Sequence, residues 1–329
     1  MSFFSVLLAL LCEQLKPLPH GNAVHQGAIG WAHWAGRNFD AGRAHHAWVV
    51  WLVTALAPAL LAAVLHMGLR HYSLVLALAF DVLILYLTLG FRQFSHFFTD
   101  IRVALERGDE LEARTLLAQW QHLDASELPR GELLRHVIEH SLLAAHRHVF
   151  GVFFWFVLFS ALGLGPAGAV LYRMAEFASR YWAFRNRALD THTHEGLRER
   201  AQRNFNWIDH VPARLTATGF AIVGNFEEAV NGWRRDAPLW QHLNEGIILA
   251  AAAGAVGVQL GGAAAPGVTP DRSKTLAAGG AQDATAAEGS TPGDPPTLSH
   301  LHSVVRLVWR SVVLWMLLLA LLTLSNLIG

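Results

Sequence analysis

Apolar residues fall in long blocks along this chain, separated by arginine-rich polar stretches. Ala47 to Leu69 carries no charge before Arg70, and Ser73 to Phe91 continues apolar around one acid, Asp81. Runs of about 20 apolar residues are long enough to cross a bilayer as helices. The short separation between these two predicts a helical hairpin. Phe3 to Leu11 predicts a shorter first helix, interfacial or re-entrant. Val149 to Leu162 is apolar, Gly163-Leu-Gly-Pro166 interrupts, and Ala167 to Met174 resumes. That pattern fits either one kinked span or a hairpin turning at the Gly-Pro. Pro212–Gly224 and Ile247–Ala265 are weaker apolar stretches rich in small residues, and Ser311–Ile328 reads as a final span.

Between these blocks the periodicity changes. Residues 92–148 predict a polar helical insert. In it Ile101, Leu105, Leu116, Leu117 and Trp120 share one helical face. A second helix starts near Pro129, a residue suited to a first turn. Its stripe is Leu134, Ile138, Ser141, Leu142, Ala145 and Val149. Arg135 and Glu139 lie opposite as an i,i+4 pair. Residues 266–299 are rich in Pro, Gly, Ala, Ser, Thr and Asp, the composition of a disordered linker. The expected organisation is an all-α, polytopic membrane helical bundle with a re-entrant or broken helix and a cytoplasmic helical insert. Residues 1–265 form the membrane domain, 92–148 its insert, 266–299 the linker and 300–329 a C-terminal transmembrane helix.

Composition supports this picture. Of 329 residues, 53% are hydrophobic and only 15% charged, against about 25% charged in soluble domains. The formal net charge is zero, so bulk charge points to no nucleic-acid partner. A single cysteine, Cys12, excludes an intramolecular disulfide framework. The first ten residues show no basic n-region or cleavage site, so a removable signal peptide is not expected. Arginines set the sidedness. Lys16, Arg37 and Arg43 precede the first hairpin, and Arg92, Arg102, Arg107 and Arg114 follow it, which places both flanks in the cytoplasm. The segment 177–210 carries a second basic group, including Arg180, Arg198, Arg200 and Arg203. A hairpin at Gly163–Pro166 keeps that group cytoplasmic too; a single span does not.

Candidate chemistry is sparse. There is no Gly-Lys-Ser/Thr phosphate loop, no Gly-x-Ser-x-Gly elbow and no Cys-x-x-Cys. His136, His140, His146 and His148 offer i,i+4 spacings but no convincing third ligand, so no metal site is expected. Charges inside apolar segments are functional candidates: Asp81, and Arg173 with Glu176. Asp209 and Arg214 sit at the mouth of the apolar run after Pro212. There Arg214 can bind phosphate or carboxylate at the interface, or simply snorkel and pair with Asp209. Asn244-Glu-Gly246, followed by the small residues up to Gly261-Gly262, allows close approach of a helix or a ligand.

Three ordered motifs resemble one family. Pro212-Ala-Arg-Leu-Thr-Ala217 after Trp207-Ile-Asp209, the run from Asn244-x-Gly246 to Gly261-Gly262, and Gly165-Pro-Ala-Gly168 followed by Tyr172-Arg173 are similar to the CobD/CbiB family of cobalamin biosynthesis. The segment with Gly108-Asp-Glu-Leu-Glu-Ala-Arg114 and Glu139 fits as well. The resemblance implies a bacterial inner-membrane, multi-pass adenosylcobinamide-phosphate synthase with its working face cytoplasmic. Such an enzyme joins aminopropanol or its phosphate to adenosylcobyric acid, a corrinoid, using ATP and Mg2+ in contact with membrane lipid. It implies Glu139 and Glu176 as catalytic candidates, Arg173 and Arg214 as ligands for phosphate or propionate, and Asp209 and Asn244 as substrate contacts. The chain departs from the family where Ala144-Ala-His-Arg-His148 replaces an Ala-Glu-Asn-x-x-Asp cluster, and where Glu176 and Ser179 replace an Asn and an Asp. AmpE, a non-catalytic membrane signalling modulator of the same superfamily, also lacks those residues and is the alternative.

Overall fold

A computed structural model describes residues 2–16, 23–40, 44–121, 125–188, 195–262 and 288–328. Among them, three helices are long and apolar enough to cross a membrane: His46–Tyr72, Arg130–Ala161 and Leu298–Ser325. Phe3–Leu15, Leu74–Thr88 and Leu243–Val256 are shorter apolar helices. The chain is a helical membrane protein. It divides into two compact units, residues 1–93, 146–212 and 315–329 in one and residues 94–145 and 213–314 in the other.

The first unit begins with α1 (Ser2–Leu15), α2 (Ala23–Phe39) and α3 (Ala44–Trp51). A π-turn, Leu52–Leu56, joins α3 to α4 (Ala57–Tyr72). Pro58 explains the turn. Its ring excludes the carbonyl four residues back, and the Ala57 N–H donates instead to the Leu52 carbonyl. Ser73 is extended and reverses the chain into α5 (Leu74–Thr88), which completes the expected hairpin. Inside it, His66 Nδ1 and Asp81 Oδ1 lie 2.8 Å apart, both buried. Leu60, Leu61, Val64, Val75, Leu76 and Leu83 are exposed, and such apolar surface is stable only against lipid or a partner.

Later in the chain α8 (Arg130–Ala145), a second π-turn (His146–Phe150) and α9 (Gly151–Ala161) follow one another as a single helix. The sequence pattern predicts an amphipathic helix followed by a separate apolar run. Here the two fuse, because no residue between Leu142 and Val149 breaks a helix. α9 ends at Leu162, and positive φ at Gly163 (78°) and Gly165 (57°) turns the chain into α10 (Ala167–Ala188). Gly151 faces the Tyr172 ring and Gly168 faces the Trp155 carbonyl, so α9 and α10 pack antiparallel at close range. The helix is therefore broken at the Gly-Pro and folds back. Gly165 itself lies on the His66 ring, where a Cβ would collide. Ala62 and Ala63 of α4 pack with Ala167 of α10, flanked by Phe159, Leu164 and Val170. α11 (Glu195–Ile208) also packs on α10.

The second unit holds α6 (Phe91–Glu106), α7 (Glu110–Gln121), α8, α12 (His210–Val223), α13 (Phe226–Arg235) and α14 (Leu243–Val256). The predicted stripe of α8 is buried along its length, from Leu134 through Ala145. α14 is apolar all round, and Ile247 to Ala253 are buried inside protein. α13 and α14 pack antiparallel through glycine: Gly232 faces the Ala250 carbonyl and Gly254 faces the Glu228 carbonyl. Ala217, Ala237, Ile247, Ala250 and Ala251 form a core with Trp233 and Trp240.

Residues 266–287 of the expected linker lie outside the described residues, but its last part, 288–299, is folded. Strand β1 (Gly261–Gly262) pairs antiparallel with β2 (Glu288–Ser290). Thr291 is buried, and its hydroxyl accepts from the Leu260 N–H at 2.8 Å. A glycine- and proline-rich composition reads as disorder, yet here it allows a tight pairing beside the Trp240 ring. The last helix, α15, runs from Leu298 to Ile328.

Candidate functional site

In the first unit the site is built on α10. Glu176 is 1% exposed. Its Oε2 accepts from Arg173 and from Arg180, each at 3.0 Å, and Arg180 Nε lies 2.5 Å from Oε1. These residues sit at i−3 and i+4 on one helix face. Burial pushes the carboxyl pKa up, but Arg180, Arg173 and Arg147 outweigh it and hold Glu176 below its ordinary value. The result is an ionised carboxylate inside a cationic cluster. His25 of α2 adjoins the cluster, its pKa lowered by burial and by Arg180 and Arg173.

A second buried set lies beside it. Asp209 occupies the break between α11 and α12, and the Trp155 indole fixes that corner by donating to the Ile208 carbonyl at 3.1 Å. Asp209 Oδ1 accepts from Tyr172 at 2.8 Å and lies 2.7 Å from His146 Nε2. Tyr172 and His146 are 3.4 Å apart. Two local features make this possible: the π-turn carries His146, and Gly151, lacking Cβ, leaves room for the Tyr172 ring. π-turns inside α-helices recur at functional positions. Sequence reading placed Tyr172 in a motif and His146 in an unexplained histidine run, and grouped neither with Asp209. The available signal was His146 standing in the stretch that replaces the family's carboxylate cluster.

The second unit brings together the other candidates. Arg214 of α12 donates to Asn244 Oδ1 at 3.3 Å, and Asn244 is largely buried in the first turn of α14. Glu139 Oε1 accepts from the Gly261 N–H at 2.7 Å, while Arg135 donates to the Gly261 carbonyl at 2.6 Å. Arg135 also pairs with Glu132 and lies 3.8 Å from Glu139. Arg135 and Glu139 thus hold the carbonyl and the N–H of one glycine, Gly261, whose φ is 74°. Asp209 belongs with Tyr172 and His146, and Arg214 with Asn244.

Mg2+ prefers one or two free carboxylates plus water or phosphate oxygens. Neither candidate carboxylate fits that need. Glu176 is saturated by guanidinium groups, and Glu139 Oε1 is bound to backbone. Among the described residues no three His, Cys, Asp or Glu side chains gather into a metal-binding group. The cluster of Arg173, Arg180 and Arg147 instead suits an anion such as phosphate or carboxylate.

A family model described as "CobD/Cbib protein" matches residues 2–288. The chain is 33% identical over 239 residues to the cobalamin biosynthesis protein CobD of Stutzerimonas stutzeri, covering 73% of this chain and 71% of that one. It is 36% identical over 183 residues to the protein of the same name from Chromobacterium violaceum, covering 56% of this chain and 55% of that one. No solved structure matches.

Proposed function

The chain belongs to the CobD/CbiB family of cobalamin biosynthesis, and from that premise we propose that it joins aminopropanol or its phosphate to a propionate of adenosylcobyric acid at the cytoplasmic face of the inner membrane. The observation that carries this reading is the arginine cluster around Glu176. Amide formation from a carboxylate needs activation. A propionate oxygen attacks the terminal phosphorus of ATP, giving an acyl phosphate and ADP. The amine then attacks the carbonyl carbon, phosphate leaves, and the amine gives up a proton. The propionate, ATP, the acyl phosphate and the released phosphate are all anions that must be held and oriented. Arg173 binds phosphate or propionate, with Glu176, itself held by Arg180, fixing its guanidinium. Arg214 and Asn244 form a second polar pair for the substrate.

The test is complementation of a bacterial strain lacking its own synthase. The chain should restore corrinoid-dependent growth, and Arg173→Gln should lower it by a factor of ten or more, the scale of one lost charge-assisted bond to substrate. No growth with a well-expressed, membrane-inserted protein would overturn the ligase reading. A second reading, an AmpE-like modulator without catalysis, is favoured by the engagement of both candidate carboxylates, Glu139 and Glu176. The two readings separate on ligand binding. A ligase should gain stability with corrinoid or Mg-ATP, about 2.7 kcal/mol at a hundredfold excess over Kd. A modulator should gain none from either.

A further inference from the structure

A cavity of 290 Å³ lies in the second unit and is lined by none of the candidate site residues above. Val223, Ala255 and Leu307 form its apolar side, and Ser303, Arg306 and Arg310 its polar side. Arg306 donates to the Ser303 hydroxyl at 3.1 Å. Neither arginine has a carboxylate partner among the described residues. At the neighbouring helix ends the Gly224 N–H donates to the Phe220 carbonyl, Asn225 N–H to Ala255, and Gly257 N–H to Ala253.

The position of the two arginines on α15 supplies the second observation. Arg306 and Arg310 are followed on the same face by Val313, Leu317, Leu321 and Leu324, at spacings of three or four. All four apolar residues are exposed, Val313 at 64%. One helix face thus carries two exposed cations and then a continuous exposed apolar stripe. That is the polarity of a phospholipid, with phosphate at one end and acyl chain along the rest. A half-apolar cavity beside the cations adds room for the glycerol and headgroup.

We propose that this cavity binds a phosphate ester on Arg306 and Arg310, and that its occupant is an anionic membrane phospholipid whose acyl chain lies along the α15 stripe. The site is independent of the ligase reading. Each cationic side chain near an anionic lipid surface is worth roughly fivefold in affinity, and salt weakens the attraction.

The experiment measures thermal unfolding of the purified full chain in detergent while it is titrated with phosphatidylglycerol, phosphatidylcholine of the same acyl length, or inorganic phosphate. Phosphatidylglycerol should raise the midpoint, and the other two should not. Arg306→Gln and Arg310→Gln should each weaken the apparent affinity about fivefold, and added salt should weaken it further. Arg203→Gln, an exposed arginine on α11, should leave it unchanged. An equal shift with phosphatidylcholine, or an undiminished one in both glutamine variants, overturns the proposal. A full shift with inorganic phosphate alone overturns the lipid as occupant. If the variants fail to fold, the three ligand arms on the unmodified chain still decide.

Discussion

At Glu176 one carboxylate meets two guanidinium groups with almost no water. The sign of its pH dependence follows. Its pKa in the folded protein lies below the ordinary 4.5, so the stability it contributes is complete above that value. The contribution is lost as pH falls from about 4.5 through the lower folded value. The unfolding midpoint should therefore drop as the pH is lowered below about 4.5, and the drop should be shallower in Glu176→Gln. That variant should also be less stable at pH 7, because it leaves Arg173 partly buried without its counter-charge. Tyr172→Phe offers a companion measurement. It removes the hydroxyl that donates to buried Asp209 and should cost about 1–3 kcal/mol in chemical denaturation. These residues also show what the sequence revealed. The Arg173–Glu176 pairing follows from i,i+3 spacing alone and is present. Arg180 in the same cluster was read only as part of a basic segment. The joining of Tyr172 with His146 and Asp209 was not legible, since it depends on a π-turn and on the missing Cβ of Gly151.

Helices and their small residues form the next scale. The apolar blocks predicted the hairpin at Ser73, the break at Gly163–Pro166 and the final helix, because hydrophobic length and glycine signals are local. Strand pairing of Gly261–Gly262 with Glu288–Ser290 was hidden, since it joins segments 26 or more residues apart whose composition reads as linker. The small residues of α14, Gly254 among them, predict close approach of a helix or a ligand, and Gly254 meets the Glu228 carbonyl of α13; Gly232 of α13, which no sequence pattern singles out, meets the Ala250 carbonyl. A side chain at Gly254 would press on the backbone of Glu228, which cannot rotate away. Gly254→Leu should therefore destabilise by 1–3 kcal/mol or more. Gly27→Ala, at a position with nothing near its missing Cβ, should be neutral or stabilising by a few tenths of a kcal/mol. Equal midpoints for the two variants would show that the α13–α14 contact contributes nothing.

For the whole molecule, arginine placement sets the sidedness in the membrane. The apolar run 149–162 ends the helix Arg130–Ala161, which is long and apolar enough to cross a membrane. α10 then returns carrying Arg173 within two turns of the break. A helix reversed by two left-handed glycines suits a hairpin entering from and returning to one side. The positive-inside rule predicts the same outcome, with Arg37 before the first hairpin and Arg203 after α10 sharing one face. The lone cysteine makes this testable. In a Cys12→Ser background, Arg37→Cys and Arg203→Cys should both react with a membrane-impermeant maleimide in inside-out vesicles and not in right-side-out cells. Leu162→Cys, exposed at the turn, should label slowly from either side if the hairpin is re-entrant, and from outside if it spans fully. Labelling of Arg203→Cys from outside would mean that α9 and α10 cross only once between them. That result would exclude the fold-back at Gly163–Pro166, on which the cytoplasmic placement of Arg173 and Glu176 depends.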